Sequence, residues 1–413
     1  MPKGQNTPQV CPYKLYSEQL SGTAFTVPRS KNKRSWLYRI QPCVTQSALK
    51  PVKEGKYSKV ISDYNDKKNY VVYPSQLRWS KIPDPKEKTD FIDGIYTYAG
   101  AGSPDVKEGI SIYGYTCNSS MTRKAFYNSD GDFLIVPQTG TLYITTEFGK
   151  LTVGRSEIAV IPVGIRYSVE VTETCKGWIV ELYNGHFEIP DLGPIGANGL
   201  ANPRDFQAPV AYYEREKESY AIINKFCSEF FEAEIDHSPF DVVAWHGNYY
   251  PYKYDLNLFN AVNTVTYDHS DPSIFTVLTV QSNEPGVANC DFVLFKSRWI
   301  VAEHSFRPPY YHRNVMSEFM GNIYGEYDAK GEGFGPGNSS LHLPFTPHGP
   351  DHESFKKATE AELKPVKYPD TMSFMFETRY LLKVARTAYN DSVEIDKGYN
   401  ECWADLKDNF SKE

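Results

Sequence analysis

One segment towards the C-terminal end of the chain, residues 307–351, concentrates side chains that bind metal ions. It contains His312, Glu318 and His348, which supply two imidazoles and one carboxylate. Non-haem Fe(II) oxygenases hold their metal with this ligand set on one side of the ion and leave the opposite positions open. Zinc hydrolases also use two histidines and a carboxylate, so the residue types alone leave zinc as a rival metal.

The spacing of these residues indicates how the chain would bring them together. His312 and Glu318 are separated by an even number of positions, so both side chains would lie on the same face of an extended strand. His348 lies between Pro347 and Pro350, which favour a rigid loop. A strand, a glycine-rich excursion and a returning loop would then place His348 beside the other two.

Two further histidines compete with His348 for the third ligand position. His342, in the sequence LHLP, could instead orient a ligand or a bound substrate without touching the metal. His352 comes just before a predicted helix over 354–363, and we expect its side chain to point outward. Any one of these histidines taken alone is more often structural than a ligand. Their clustering with Glu318 is what favours a metal site.

Composition and patterning predict a mainly β protein with a few short helices. Aromatic residues make up 15% of the chain, and there are 28 prolines and 28 glycines. Between residues 133 and 183, β-branched and aromatic runs broken by short turns predict successive strands of a sandwich or barrel. We also expect helices over 220–231 and in the tail at 390–410, one strand over 372–385, and surface loops with short strands and no function over 51–110.

Several classes of protein are disfavoured by bulk properties. The net charge of −7 argues against general binding to nucleic acid or to anionic membranes. No apolar run reaches the roughly 18 residues that span a bilayer, and the N-terminus does not resemble a secretory signal. The seven cysteines are widely spaced and odd in number, so we expect reduced thiols and a cytoplasmic protein.

Two sequence motifs resemble those of known families. The stretches YYHRNVMSEFMG and LPFTPHGPD, with much of the remaining chain, resemble the homogentisate 1,2-dioxygenase family, whose matching residues bind iron. The resemblance thus implies Fe(II) bound by His312, Glu318 and His348, the last selected by its Thr-Pro-His-Gly-Pro context. Members usually begin further upstream, with a Gly-Phe-Gly-Asn-Glu-like segment that this chain lacks. The stretch IPVGIRY resembles a cupin metal motif, but Tyr167 stands where the metal histidine would be.

The resemblance also implies roles for residues around the metal. His269, in DHSDPSIF, matches the proposed proton acceptor of the family, and an imidazole suits that task because its unperturbed pKa is about 6.5. Tyr327 matches a tyrosine that contacts the substrate, which His348 would also contact. Lys330 could pair with the substrate carboxylate, although a solvated loop lysine is the commoner case, and His342 could support the site from outside.

Together these observations predict two cupin or jelly-roll-like β-sandwich domains. Residues 1–257 would form a scaffold without metal, and residues 258–413 would carry the iron and the catalytic site. The resemblance implies conversion of homogentisate and O2 to 4-maleylacetoacetate, a step of tyrosine and phenylalanine breakdown, in a homohexamer built as a dimer of trimers. The alternatives are a related dioxygenase that acts on another dihydroxyaromatic acid, such as gentisate, and a catalytically impaired two-cupin paralogue.

Overall fold

The computed structural model describes residues 11–191, 200–263, 272–300, 304, 309–327, 333–368, 370–390 and 393–411. In chain order the strands are β1 (Tyr16–Ser21), β2 (Arg34–Arg39), β3 (Lys50–Pro51), β4 (Tyr70–Val71), β5 (Leu77–Trp79), β6 (Ile95–Ser103), β7 (Glu108–Cys117), β8 (Lys124–Asn128), β9 (Asp132–Thr139), β10 (Leu142–Thr146), β11 (Gly149–Val153), β12 (Glu157–Ile161), β13 (Tyr167–Glu170), β14 (Cys175–Leu182), β15 (Tyr220–Phe226), β16 (Glu229–Ile235), β17 (Val242–Gly247), β18 (Tyr252–Asp255), β19 (Thr276–Gln281), β20 (Ala288–Lys296), β21 (Ser317–Tyr324), β22 (Ser339–His342), β23 (Met372–Thr378) and β24 (Lys383–Ala385). The α-helices of these residues are α1 (His352–Glu360) and α2 (Arg386–Asn390).

Three large sheets stack as layers. The seven-stranded sheet has the order β11-β10-β13-β8-β15-β16-β3, the eight-stranded sheet β18-β12-β9-β14-β7-β6-β24-β4, and the six-stranded sheet β19-β20-β23-β21-β22-β5. A smaller sheet has the order β1-β2-β17. The mainly β, jelly-roll-like architecture predicted from the sequence is confirmed.

The eight-stranded sheet is the middle layer and is buried on both faces. In β14, Ile179 packs into the core shared with the seven-stranded sheet. Its neighbours Trp178 and Val180 pack into a second core, which also contains Phe319 and Phe374 of the six-stranded sheet. Because successive side chains of a strand point to opposite faces, a strand between two cores must be apolar at nearly every position. This explains the apolar run over residues 177–180 in the middle of β14.

One strand from each half of the chain joins a sheet built mainly from the other half. Strand β5 pairs with β22 at the edge of the six-stranded sheet, and β24 pairs with β6 and β4 in the eight-stranded sheet. The expectation that residues 51–110 hold only surface loops and short strands is wrong because of β6. Strand β6 is a long, mostly buried strand whose IYTYAGAGS sequence lacks the β-branched pattern of its neighbours. Its small residues are needed for close packing: a side chain at Gly100 would collide with the ring of Tyr64.

The predicted helix over 220–231 is also wrong, because the segment forms the hairpin β15–β16. The two residues of the turn, Cys227 and Ser228, have φ of 50° and 70°, which is typical of a two-residue hairpin turn. Strand β15 also pairs in parallel with β8, from a distant part of the chain. This tertiary pairing overrides a local pattern that is compatible with a helix.

The hairpin turn gives a first prediction. Replacing Ser228 with glycine should raise the free energy of unfolding by up to about 1 kcal/mol, because only glycine adopts φ near 70° without a steric cost. Chemical denaturation would measure the change, and Ser228→Ala is the matched control that should bring no gain. A glycine variant no more stable than the alanine variant would contradict the prediction.

Several shorter expectations have mixed outcomes. A helix was predicted over 354–363, and α1 covers most of that range, with the Asp351 carboxylate accepting a hydrogen bond from the Ser354 amide at 2.7 Å. His352 is the first residue of α1 and is half-buried rather than fully outward. The single strand expected over 372–385 is two strands, β23 and β24, in different sheets. Within residues 393–411, the expected helical tail is reduced to a 3₁₀ turn at Tyr399–Trp403.

A lysine in the seven-stranded sheet is fully buried. Lys225 of β15 is 1% exposed, and its Nζ lies 2.6 Å from the Asp130 carboxylate and 3.0 Å from that of Glu181. Glu181 also accepts hydrogen bonds from the Tyr113 hydroxyl and the Asn128 amide. The cluster thus links β7, β8, β14 and β15 through buried charged and polar groups.

Candidate metal centre

The three predicted ligands lie together at one end of the six-stranded sheet. Glu318 is the second residue of β21, His312 precedes that strand, and His348 lies in the loop after β22. A short antiparallel bridge joins the two histidines, with the His312 amide donating to the His348 carbonyl at 2.9 Å and the reverse bond at 3.2 Å. One ligand atom from each of the three residues lies within 4.8 Å of the others.

The three residues lie close together as predicted, but the even spacing that was expected to bring two of them together is not the cause. The sequence suggested that His312 and Glu318 share one face of a continuous strand. In the structure a bend at residues 315–316 separates them, and His312 lies outside β21. The backbone bridge to His348 is what brings His312 to the carboxylate, so even spacing within a strand plays no part.

Both imidazoles are oriented by backbone carbonyls. Nδ1 of His348 lies 2.9 Å from the Thr346 carbonyl, and Nδ1 of His312 lies 3.3 Å from the Tyr310 carbonyl. A carbonyl only accepts hydrogen bonds, so each Nδ1 carries a proton and Nε2 is the atom left to bind a metal. Nε2 of His348 lies 2.9 Å from the Glu318 carboxylate, and Nε2 of His312 lies 3.8 Å from it.

The Glu318 carboxylate is buried but held in its charged form. Burial alone would raise the pKa of Glu318, but the imidazoles of His312, His342 and His348 outweigh burial and hold that pKa well below its usual range. The Asn314 amide also donates to the carboxylate. The nearby Glu318 carboxylate raises the pKa of His312, against a smaller opposite effect of burial. The centre therefore presents a stable negative charge to a cation.

His342 lies against the ligands without being one of the clustered three. It is opposite Glu318 in the pairing of β22 with β21, and its Nδ1 lies 3.8 Å from the Glu318 carboxylate. Its ring stacks on that of His348, with centroids 4.0 Å apart and an angle of 8° between planes. The Nε2 atom of His342 lies 2.7 Å from the Tyr399 hydroxyl. This placement agrees with a supporting position beside the ligands.

An apolar, aromatic surface adjoins the ligands on the same face of the sheet. Met320 lies two residues after Glu318 and so shares its face, and it packs with Met375 and Phe334. Tyr327 packs against this cluster, with its ring 5.8 Å from that of Phe295 and 6.0 Å from that of Phe334. The predicted substrate-contacting tyrosine is thus beside the apolar surface. The predicted residues His269 and Lys330 lie outside the described residues.

Some residues at the site were missed by the sequence analysis. The Thr346 hydroxyl donates to the Pro74 carbonyl at 2.8 Å, and the Gln76 side chain donates to the Pro347 carbonyl. These contacts tie the loop that carries His348 to a segment in the first half of the chain. No local signal marks that segment, whereas Asn314 could have been noticed as an amide two residues after a candidate ligand.

The donor set fits a divalent metal. Two imidazole nitrogens and one carboxylate oxygen suit Fe(II) or zinc, and the low pKa of Glu318 keeps the carboxylate available as an anionic ligand. The carbonyl bonds at both Nδ1 atoms are the kind of outer contacts that fix histidine ligands in natural metal sites.

None of the helices in the described part of the chain has the length and apolarity that crossing a bilayer requires.

Stacked β-sheets of jelly-roll type, with two imidazoles and a carboxylate gathered at the end of one sheet, define a cupin-type protein with a candidate metal site. Models of the homogentisate 1,2-dioxygenase N-terminal and C-terminal regions match residues 1–256 and 257–410. The chain therefore belongs to the homogentisate 1,2-dioxygenase family.

Curated relatives agree with this assignment. The homogentisate 1,2-dioxygenase of Homo sapiens is 53% identical over 100% of this chain and 92% of its own length. That of Dictyostelium discoideum is 55% identical over 99% of this chain and 93% of its own length.

Among solved structures, a mutant of Bacillus subtilis oxalate decarboxylase aligns with a TM-score of 0.32 and 11% identity over 78% of this chain and 82% of its own.

Proposed function

We propose that the protein is an Fe(II)-dependent dioxygenase that opens the ring of homogentisate with O2 to give 4-maleylacetoacetate. The observation that carries the proposal is the cluster of His312, Glu318 and His348, whose ligand atoms lie within 4.8 Å of one another in a chain of this family. The substrate is taken from the names of the relatives, which are 53% to 55% identical to this chain.

The role of these three residues is to hold the metal and keep part of its surface accessible. Iron held there would supply Lewis acidity and a path for electrons from the electron-rich ring, which is the net electron donor, to dioxygen. His312 and His348 each direct Nε2 at the site because a carbonyl holds Nδ1. Glu318 adds the negative charge. Three protein ligands leave room for a ring hydroxyl and a gas molecule, and this supports the choice of reaction class.

The remaining chemistry is assigned to side chains around the metal on the strength of the family resemblance. His269 would accept the phenolic proton, and Lys330 would pair with the substrate carboxylate. Tyr327 would donate a hydrogen bond to the substrate, with its ring against Phe295 at the apolar surface. His348 would touch the substrate as well as the metal.

The role of Tyr327 gives a second prediction. Replacing it with phenylalanine should raise KM for homogentisate roughly tenfold, because one hydrogen bond to the substrate is lost while the ring that packs at the site is kept. Steady-state oxygen uptake would measure KM. The matched control is Tyr143→Phe, at a partly exposed tyrosine on β10 in the seven-stranded sheet, which should leave KM unchanged. An unchanged KM in Tyr327→Phe would contradict the proposed contact.

The experiment that tests the function compares two acids on the same iron-loaded protein. Oxygen uptake should accompany ring opening of homogentisate with one O2 consumed per ring, and gentisate should be turned over far more slowly. Faster turnover of gentisate would transfer the function to that substrate class. Stoichiometric iron without turnover of either acid would favour a catalytically impaired paralogue.

We further propose the cellular setting implied by the family. The protein would act in the cytoplasm in tyrosine and phenylalanine breakdown, as a homohexamer built as a dimer of trimers. Residues 1–257 would serve as the metal-free scaffold and residues 258–413 as the catalytic domain, with β5 and β24 exchanged across that boundary. Light scattering of the purified protein would test the assembly.

A further inference from the structure

A tyrosine in the C-terminal segment of the chain contacts a side chain that lies against the metal centre. Tyr399 begins the 3₁₀ turn at Tyr399–Trp403 and is 3% exposed. Its hydroxyl lies 2.7 Å from Nε2 of His342, a side chain that is 2% exposed. Neither group has substantial access to water, so each depends on partners inside the protein.

The surroundings of His342 decide which ring nitrogen carries its proton. Nδ1 faces a carboxylate oxygen of Glu318 at 3.8 Å, and this oxygen only accepts hydrogen bonds. A bare Nδ1 lone pair directed at that negative charge would be repelled, whereas an Nδ1–H group would be attracted. The proton therefore belongs on Nδ1, and Nε2 becomes an acceptor. The Tyr399 hydroxyl is the donor that this form of the ring needs.

The phenol is itself held in place. The guanidinium of Arg78, on β5, lies 4.0 Å from the centre of the Tyr399 ring, in the range of a cation–π contact. Arg78 also pairs with Asp396 at 3.3 Å, and it lies opposite Ser340 of β22. A strand from the first half of the chain thus fixes a tyrosine from its end, and the tyrosine fixes His342 beside two candidate metal ligands.

We propose that Tyr399 is a positioning residue for the metal centre. Its hydroxyl donates to Nε2 of His342 and selects the Nδ1–H form, which directs a hydrogen at the Glu318 carboxylate and keeps the His342 ring stacked on His348. This inference rests on the proposed iron site and extends it to a residue that does not touch the metal. Contacts of this kind typically change metal affinity about 10- to 100-fold.

A double-substitution experiment tests the proposal. Tyr399→Phe should weaken the affinity for Fe(II), measured anaerobically by competition with a chromophoric chelator, about tenfold. His342→Asn provides an amide N–H at the position of Nδ1 and has no counterpart of Nε2. The Tyr399 hydroxyl therefore cannot influence which nitrogen of this side chain carries a proton. In that background, adding Tyr399→Phe should change the affinity less than twofold. Tyr399 and Tyr389 both line a cavity of about 870 Å³, in which the Tyr389 ring packs on Tyr73. The matched control Tyr389→Phe removes a hydroxyl from this cavity and should leave the affinity unchanged.

The outcomes separate a positioning role from a merely structural one. Equal losses of Fe(II) affinity in the wild-type and His342→Asn backgrounds would overturn the proposal. Such a result would mean that Tyr399 acts through general packing and not through the tautomer of His342. An unchanged affinity in Tyr399→Phe alone would also overturn it. If the unsubstituted protein bound no Fe(II), the proposed function would fail along with this inference, whereas failure of the Tyr399 arm alone leaves that function intact. Thermal melting of each variant checks that it is folded.

Discussion

Glu318→Gln is expected to lower the affinity for Fe(II) at least about a hundredfold and to remove ring-opening activity with it. The substitution keeps the shape of the side chain but replaces the carboxylate among the three clustered ligands with a weakly donating amide. Loss of a direct ligand should exceed the 10- to 100-fold typical of outer contacts. Because the imidazoles hold the pKa of Glu318 well below its usual range, the wild-type carboxylate should stay charged at every pH near neutrality.

The measurement is anaerobic chelator competition followed by oxygen uptake on homogentisate. Glu353→Gln, at a side chain that is 85% exposed on α1, is the matched control, and it should retain wild-type iron binding and turnover. Iron-replete, active Glu318→Gln would contradict the assignment of Glu318 as a ligand.

Lys225→Met is expected to lower the free energy of unfolding by about 3–5 kcal/mol, the range found when one partner of a buried ion pair is removed. The lysine is 1% exposed, and its removal would leave the Asp130 and Glu181 carboxylates buried beside each other without a cation. A loss of this size is a large part of the 5–15 kcal/mol that stabilises a typical domain.

Chemical denaturation of two further variants shows whether uncompensated charge is the cause. Adding Glu181→Gln and Asp130→Asn to Lys225→Met should recover part of the loss, because both stranded charges are then neutral. The control Lys253→Met breaks a partly exposed pair with Glu157, at 2.6 Å, and should cost less than about 1 kcal/mol. Equal losses for the two lysine variants would contradict the role of the buried cluster.

The candidate site could be predicted from the sequence because its chemistry depends on residue types that cluster locally. His312, Glu318 and His348 fall in one short segment, and the strands that support them carry β-branched and aromatic residues. The geometry could not be predicted in the same way. The bridge between His312 and His348 depends on a bend and a returning loop, which even spacing along a strand does not describe.

Contacts between distant parts of the chain were beyond the sequence analysis. His342 and Tyr399 are 57 residues apart, and the hydrogen bond from Thr346 to Pro74 spans 272 residues. Local periodicity carries no information on such pairs. The helix prediction over 220–231 failed for a related reason. Parallel pairing with β8 stabilises a strand in a segment whose sequence alone is compatible with a helix.

The central claim is that one iron ion is held by two imidazoles and a carboxylate. X-ray absorption at the iron edge of the anaerobically loaded protein tests it most directly. The prediction is one iron per chain in a shell of nitrogen and oxygen, with outer scattering from two imidazole rings that falls to one ring in His312→Ala. Three results would contradict the account: sulfur in the iron shell, an unchanged spectrum in His312→Ala, or loss of iron from the unsubstituted protein on gel filtration.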